Sequence, residues 1–267
     1  MLRVGRLSFA NAFPFYRSLG SGRSTDIRFR GGMPFDLNAA MERAELDAAP
    51  VSSLAYGRNA GAWLLIRGLA ISSPGAARSV LLCQAKGGNT DVLQVPRASE
   101  TAAAVVQILL RKSGRPAVEV RTYRTVPRAG RFLVFGDEAL RLAARRPAGV
   151  RILYDVGTEW RRRTGFPCVF AVFVVRREAV RRGRPAVRRL AEAIRSSVSE
   201  SLRNLPALQH EVRLRFRLPQ EAVRDYFRRL RYGLVPEDVR GLRKLLSEAH
   251  SAGLLPNNPK IDFAEGV

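Results

Sequence analysis

The longest apolar run in the chain covers residues 168–175, and it is nearly continuous instead of alternating with polar positions. Such a run is typical of a strand that is buried on both faces. Gly165 and Pro167 precede it and predict a turn. A second apolar run, at 79–83, comes much earlier in the chain. We predict that these two strands carry the chain into a second lobe and back, with a ligand cleft between the lobes.

Segments of strand and helix character alternate up to residue 176, whereas amphipathic helices dominate after it. The other predicted strands lie at 2–8, 26–30, 47–51, 63–71, 92–95, 118–121, 131–135 and 151–154. Helices are predicted at 12–19, 35–44, 101–111, 138–145 and, mostly helical, 155–164, with a short one capped by Ser52. This alternation predicts an α/β fold.

The predicted lobes divide the chain unevenly. Residues 1–82 and 168–267 form lobe I, which is discontinuous, and residues 83–167 form lobe II. The sequence opens directly on a strand pattern, without an apolar signal core, and no apolar run approaches the ~20 residues that a membrane span needs. We therefore expect a cytoplasmic protein without membrane insertion, and its oligomeric state stays open.

Composition adds a large positive charge to this picture. Lys and Arg number 46 against 23 for Asp and Glu, which gives a formal net charge of +23, nearly all of it from arginine. Such a charge is compatible with a nucleic-acid or acidic-membrane surface. The arginines fall in different segments, however, mostly on polar helix faces, so we expect a solvated surface and no specific nucleic-acid partner. Cys83 and Cys168 both lie in apolar strands and are expected to be free buried thiols.

Several kinds of catalytic chemistry lack their motifs. The histidines are His210 and His250, both in the helical C-terminal part, and no metal-ligand spacing is present. GxSxG, Walker A and GxGxxG motifs are also absent from the sequence. These observations argue against a Ser-His-Asp triad, a catalytic zinc and a Rossmann-type nucleotide site.

Small polar residues stand where predicted strands end or helices begin, and each of them alone is most often only a turn or cap residue. Ligands of open α/β sheets bind beyond the carboxyl ends of strands, and helix N-termini attract carboxylates. The shared position therefore predicts a small anion held mainly by neutral hydrogen-bond donors. The candidates are Asn11, Ser52, Ser53, Ser79, Ser99, Thr101, Gly136 and Asp137.

Short segments in a fixed order give a resemblance to a known family. Residues 6–15, RLSFANAFPF, resemble the "SYLNA-P" opening of the menaquinone-biosynthesis family that contains chorismate dehydratase, and 45–53, ELDAAPVSS, resemble its "G-LD-APVSS" segment. The segments 71–73 with 79–82, 135–140 (FGDEAL), 154–160 (YDVGTEW) and 164–172 are similar to its later blocks. FGDEAL and YDVGTEW favour the dehydratase over the sister enzyme, 1,4-dihydroxy-6-naphthoate synthase.

The resemblance implies a two-lobed fold like that of type II periplasmic binding proteins. It also implies the dehydration of chorismate to 3-[(1-carboxyvinyl)oxy]benzoate, which needs no metal, nucleotide or redox cofactor because it is redox-neutral. Asn11 and Ser79 would be catalytic, and the other candidates would bind substrate. Ala102 stands where the family usually has serine. The sister synthase and a cytoplasmic small-anion-binding protein of the same fold stay open as alternatives.

The proton acceptor is the open point of this mechanism. We expect the enolpyruvyl carboxylate of the substrate to take the C3 proton, with Asn11 holding its geometry. Asp137 is the alternative base within the protein. It begins a helix, so we expect it to cap that helix and expect the helix dipole to lower its pKa.

Overall fold

The computed structural model describes residues 1–19, 27–97, 100–113 and 119–267, and its strands form two separate five-stranded sheets. The strands are β1 (Leu2–Leu7), β2 (Ile27–Gly32), β3 (Ala48–Ser52), β4 (Trp63–Ser73), β5 (Val80–Ala85), β6 (Val92–Pro96), β7 (Glu119–Tyr123), β8 (Gly130–Phe135), β9 (Val150–Asp155) and β10 (Cys168–Arg176). The α/β class expected from the sequence is confirmed.

The first sheet has the strand order β2-β1-β3-β10-β4, and β10 runs antiparallel to both of its neighbours. Val172, Phe173 and Val174 follow one another along β10 and are all fully buried. Successive strand residues point to opposite faces of a sheet, so both faces of β10 are covered. The continuous apolar run thus has the predicted role of a buried central strand.

The second sheet has the order β7-β6-β8-β5-β9. The chain enters it between β4 and β5, and it returns to the first sheet at β10. The boundary predicted between residues 82 and 83 falls inside β5, all of which pairs within the second sheet. The exact division into lobes stays a prediction.

The helices cover the sheets and supply most of the C-terminal part. They are α1 (Pro34–Glu42), α2 (Ser53–Asn59), α3 (Glu100–Lys112), α4 (Asp137–Arg145), α5 (Val156–Thr164), α6 (Arg177–Arg203, with a non-helical residue at Gly183), α7 (Leu205–Phe216), α8 (Gln220–Val223), α9 (Tyr226–Arg229) and α10 (Pro236–Ser251). Within the described part of the chain, no helix is long and apolar enough to cross a membrane.

The segment predicted to be helical at 12–19 is 3₁₀ and not α-helical. It consists of two 3₁₀ segments, Ala10–Phe15 and Arg17–Leu19. Pro14 has no N–H to give to an α-helical ladder, and its carbonyl accepts a 2.8 Å hydrogen bond from the Ser197 hydroxyl of α6. The same hydroxyl accepts the N–H of Ser18. The segment after β1 is therefore fixed by tertiary contacts with α6.

One large apolar cluster extends across both sheets, and Trp63, Trp160 and Phe173 are among its fully buried members. A smaller cluster, which includes Cys83 and Phe132, covers the other face of β5 and β8. Both cysteines are free and buried, as predicted. Burial raises the pKa of the Cys83 thiol to about 12 and also raises that of Cys168 well above its usual value, so neither is a reactive thiolate.

Candidate active site

A cavity lies between the two sheets, where strands of both sheets end or begin. The cavity is narrow, with a volume of about 70 Å³. Its walls are mostly apolar with a few polar groups, as in most small-molecule sites. The lining residues are Leu7, Phe9, Asn11, Pro34, Pro50, Val51, Ser52, Ile71, Ser79, Val80, Glu100, Thr101, Ala102, Phe135, Gly136, Phe170, Ala171 and Leu230.

Asn11 lies in the 3₁₀ segment after β1 and lines this cavity. Its amide oxygen is buried and has no hydrogen-bond partner in the described part of the chain. A buried acceptor without a partner costs free energy unless a ligand satisfies it. The position of Asn11 therefore points to a donor that arrives with a ligand.

Ser79 lines the cavity just before β5, and its hydroxyl donates a 3.3 Å hydrogen bond to the Ala77 carbonyl. The Tyr226 hydroxyl, fully buried and without a partner in hydrogen-bonding geometry, lies beside it. Burial raises the pKa of Tyr226 far above its usual value, although Ser79 opposes this effect. Nothing local in the sequence relates Tyr226 to Ser79, which lies far from it in the chain.

Helix starts supply the remaining polar groups of the cavity. Thr101 and Ala102 belong to the first turn of α3, and Gly136 is the N-cap residue of α4. Free N–H groups and the positive dipole end of each helix favour an anion there. The lining residues include no lysine, arginine or histidine. The described cavity thus has the neutral donors that the sequence predicted.

Glu100, which sequence reasoning missed, brings a carboxylate into the cavity. Its Oε2 accepts hydrogen bonds from the Ser52 hydroxyl at 2.7 Å and from the Asn38 amide at 3.2 Å. The Arg58 guanidinium donates to both carboxylate oxygens, at 2.9 and 3.0 Å. An acidic residue at a helix start looks like an ordinary partner of the helix dipole, so the sequence carried no separate signal for this network.

Ser52 caps α2 as predicted, and its Oγ accepts the Ala55 N–H at 3.0 Å. Ser53 does not line the cavity: it is fully buried, and its hydroxyl donates to the Val169 carbonyl at 2.6 Å. The predicted contact of Ser53 with substrate therefore has no support in the geometry, because this side chain is committed to β10. Ser99 lies outside the described residues.

Asp137 lies beside the cavity wall, and its carboxylate points across to the other sheet. Its Oδ1 accepts the backbone N–H of Ala10 at 3.1 Å, next to Asn11 in the chain. The phenyl ring of Phe9 packs edge-on against Phe135 at 5.1 Å between centroids. Gly136 has φ +67°, and a Cβ there would come within 2.8 Å of the Phe9 ring, so only glycine fits. These contacts hold the Asn11 segment against the start of α4.

Two expectations for Asp137 are wrong. It is the first residue of α4 but makes no capping bond to it. Burial raises its pKa from 3.8 to about 6, whereas the Ala10 N–H and the charge of Arg141 only partly oppose that effect. The helix dipole predicted a lower pKa, but desolvation outweighs it because the carboxylate is enclosed between the two sheets.

No group of three or more His, Cys, Asp or Glu side chains that could hold a metal occurs in residues 1–19, 27–97, 100–113 and 119–267.

The sequence of this chain is similar to that of proteins of menaquinone biosynthesis. A family model described as "Menaquinone biosynthesis" matches residues 2–251. Chorismate dehydratase of Thermus thermophilus is 26% identical over 258 residues, which cover 90% of this chain and 92% of that protein.

Solved structures show the same architecture at low sequence identity. Protein AF1704 from Archaeoglobus fulgidus superposes with a TM-score of 0.77 at 15% identity, over 95% of this chain and 98% of that one. The alkanesulfonate-binding protein SsuA from Xanthomonas axonopodis pv. citri has a TM-score of 0.71 at 12% identity, over 96% and 94%. The Candida albicans CA3427 product, described as having the generic periplasmic binding protein fold, has a TM-score of 0.59 at 10% identity, over 100% and 98%. The periplasmic-binding-protein-like fold is confirmed.

Proposed function

This chain belongs to the menaquinone-biosynthesis family, and on that premise we propose that it is a hydro-lyase that converts chorismate to 3-[(1-carboxyvinyl)oxy]benzoate. The observation that carries the proposal is the narrow cavity between the sheets, which is lined by two helix starts, by neutral polar side chains and by the Asn11 amide oxygen, which has no partner among the described residues. Similarity to a chorismate dehydratase over nearly the whole chain supports the same reaction.

The substrate offers two carboxylates, and the cavity offers two helix starts. The first turns of α3, with Thr101, and of α4, which follows Gly136, have N–H groups that carry no charge of their own. The N–H of Gly136 itself donates to the Ser79 carbonyl at 2.7 Å, so the donors of α4 are those of its first turn. Such donors bind carboxylates and also stabilise negative charge as it develops. Ala102, in place of the usual serine, removes one hydroxyl but keeps its backbone N–H. Apolar walls from Phe9, Ile71 and Phe170 would contact the ring.

The reaction breaks the C3–H and C4–O bonds, and the electrons of the C3–H bond form the new C3=C4 double bond. The leaving hydroxide takes up a proton and departs as water. The ring becomes aromatic, so the driving force lies in the substrate. The conjugated carboxylate can hold charge as the proton leaves, and donors aimed at that carboxylate would lower the barrier.

The substrate's own enolpyruvyl carboxylate is the proposed base. Glu100 is the carboxylate that lines the described cavity, but an arginine, a serine and an asparagine already donate hydrogen bonds to its oxygens, which are therefore engaged and not free to accept the C3 proton. Burial raises the pKa of Asp137 to about 6, yet its carboxylate is turned to Ala10 and does not line the cavity. Asp137 is therefore rejected as the base because of its position, and not because of its pKa. Asn11 would hold the enolpyruvyl carboxylate through its NH₂, which donates hydrogen bonds, whereas its free amide oxygen would accept one from the C4 hydroxyl of the substrate.

Incubation of the purified protein with chorismate tests the proposal. New aromatic absorbance should appear together with a product whose mass is lower by one water. Binding of chorismate without conversion would instead assign this chain to the small-anion-binding proteins. Inertness towards chorismate, in a protein that converts the substrate of the sister synthase, would also contradict the proposal.

Replacement of Glu100 by glutamine should leave turnover within a few-fold and should lower KM for chorismate. The variant removes a negative charge from a cavity that must accept a dianion, and the glutamine amide can still bond to Ser52. Steady-state kinetics at two ionic strengths would measure both parameters. Loss of kcat by several orders of magnitude in a folded E100Q protein would transfer the role of base to Glu100.

The histidines should be dispensable. His210 and His250 lie on α7 and α10, and neither lines the cavity. The double change to glutamine should keep kcat/KM within a few-fold of the starting protein. A folded but inactive double variant would contradict the site as described.

A further inference from the structure

A second groove adjoins the catalytic cavity and shares two of its wall residues, Leu7 and Phe9. Its volume is about 360 Å³, several times that of the catalytic cavity. We call it the aromatic groove, and its walls include Arg6, Phe13, Tyr16, Phe29, Gly31, Arg215 and Phe216.

Two pairs of aromatic rings line this groove. Phe13 and Phe216 meet edge to face with centroids 6.0 Å apart, and Tyr16 and Phe29 do so at 5.9 Å. Tyr16 is fixed further by its hydroxyl, which donates to the Gly5 carbonyl at 3.1 Å. Preformed ring walls of this kind favour a flat, aromatic occupant.

An arginine lies over one ring of each pair. The Arg6 guanidinium is 5.4 Å from the centroid of Tyr16, and that of Arg215 is 5.6 Å from the centroid of Phe13. Among the described residues, no Asp or Glu has a carboxylate oxygen within 4.0 Å of a guanidinium nitrogen of either arginine. Unpaired arginines are expected on a surface with a net charge of +23, but most of them can turn into water.

Arg6 cannot turn freely into water, because it is half-buried at the end of β1. Burial, and after it the charge of Arg215, lower the pKa of Arg6, whereas the Tyr16 phenol opposes them. Arg215 is exposed on α7, but its like charge beside the half-buried Arg6, without a described counter-ion, is unfavourable for Arg6 unless an anion joins them. A carboxylate between two guanidinium groups would relieve this repulsion through charge-assisted hydrogen bonds.

From the ring pairs and the two arginines we infer that the aromatic groove is a second ligand site, which binds an aromatic carboxylate outside the catalytic cavity. The ring of the ligand would contact the Phe13 and Tyr16 pairs, and its carboxylate would face Arg6 and Arg215. The inference does not depend on the proposed reaction, since binding can be measured without chorismate.

Calorimetric titration with three probes tests both halves of this inference. Benzoate carries ring and charge, benzamide keeps the ring without the charge, and acetate keeps the charge without the ring. Benzoate should bind at least 10-fold more tightly than either of the others at low salt. Equal binding of benzamide or of acetate would overturn the inference, because one of the two features would then be irrelevant.

Variants place the binding in the groove and not in the catalytic cavity. Arg6→Gln and Arg215→Gln should each weaken benzoate binding by about 10-fold or more. Gly31→Leu should abolish it by filling the groove, since a Cβ at this exposed glycine meets only the Ser8 hydroxyl, at 3.9 Å. Arg28→Gln is the matched control: it removes the same charge from an exposed residue on β2 that does not line the groove.

The outcomes separate this site from the catalytic one. Benzoate affinity should stay within 2-fold in R28Q, and chorismate turnover should stay unchanged in R215Q and G31L, which lie outside the cavity. If R6Q, R215Q and G31L all bound benzoate as the unchanged protein does, the ligand would sit elsewhere and the inference would be wrong. That result would leave the dehydration proposal untouched.

Discussion

Replacement of Asn11 by alanine is expected to reduce kcat for chorismate dehydration by about 100- to 1,000-fold, the usual cost of losing one preorganised polar contact to a transition state. Its side-chain oxygen is buried in the cavity without a partner in the described part of the chain. The role proposed for Asn11 is to hold the enolpyruvyl carboxylate against the C3 proton. Single-turnover kinetics with chorismate would measure the chemical step directly.

The same observation predicts that the fold tolerates the change. Removing an acceptor that has no partner breaks no protein hydrogen bond, so the free energy of unfolding should change by less than about 0.5 kcal/mol. A rise in KM with kcat unchanged would reduce Asn11 to uniform substrate binding and contradict its role. Circular dichroism and urea unfolding of the same preparation would separate an inactive site from an unfolded protein.

Ser53→Ala is the matched control for Asn11→Ala. Ser53 was also a candidate from the sequence, but its hydroxyl donates to the Val169 carbonyl and stays away from the cavity. The alanine leaves a buried carbonyl without that donor, so stability should fall by about 1–3 kcal/mol. KM and kcat should stay near their original values under conditions in which the variant is folded. The two variants therefore predict opposite patterns, activity lost in one and stability lost in the other.

The pattern of apolar and polar residues along the chain predicts those parts of the fold and of the candidate site that depend on neighbouring residues in the sequence. The continuous apolar run at 168–175 predicted a strand buried on both faces, and β10 is central in the first sheet. Asn11, Ser52 and Gly136 were found because residues just after strands meet at the same edge of the sheets. Strand-end position is thus a usable signal even where each residue alone is ambiguous.

Alternation along a strand could have shown that only one of Ser52 and Ser53 faces the ligand. Neighbouring side chains at a strand end point to opposite sides, and here Ser52 faces the cavity whereas Ser53 faces β10. The sequence does not say which of the two faces the ligand, because that depends on the strand beside them. β10 is more than a hundred residues away in the chain.

Contacts between residues around the first sheet and residues around the second sheet could not be predicted from the sequence. The Glu100 carboxylate reaches Ser52, Asn38 and Arg58, which belong to elements around the first sheet. The pKa of Asp137 follows from enclosure by the segment after β1. Helix propensity and dipole arguments use only residues on the same helix, so they gave the wrong direction for this pKa and no role for Glu100.

Asp137→Ala should reduce turnover by about 10-fold or more, whereas Asp137→Asn should keep kcat within a few-fold. The carboxylate accepts the Ala10 N–H, one residue before Asn11, and so fixes the segment that carries the amide. Asparagine keeps an oxygen acceptor for this N–H, and alanine does not. Loss of positioning in the alanine variant should appear in kcat more than in KM, because the helix starts that we propose to bind the carboxylates remain.

The pH dependence of stability checks the burial of Asp137 independently of activity. Its folded pKa of about 6 lies above the ordinary value of 3.8, so the folded state holds the proton more tightly than the unfolded state. The stability gained in this way is fully present below about pH 4 and is lost as the pH rises through about 6. Asp137→Asn carries no such charge. The difference in free energy of unfolding, variant minus parent, should therefore increase by about 2 kcal/mol between pH 4.5 and pH 8, because the parent loses stability over this range and the variant does not.

These measurements also decide whether Asp137 is the base. A base with this pKa would give kcat an acidic limb near pH 6, and Asp137→Asn would abolish turnover. A positioning residue instead leaves an active asparagine variant, with the stability difference between pH 4.5 and pH 8 still present. A dead Asp137→Asn enzyme, together with normal turnover of a chorismate analogue that lacks only the enolpyruvyl carboxylate, would assign the proton transfer to Asp137. An active variant and an inert analogue would leave the substrate carboxylate as the acceptor, because the described protein carboxylate that lines the cavity, Glu100, is tested separately by its glutamine variant.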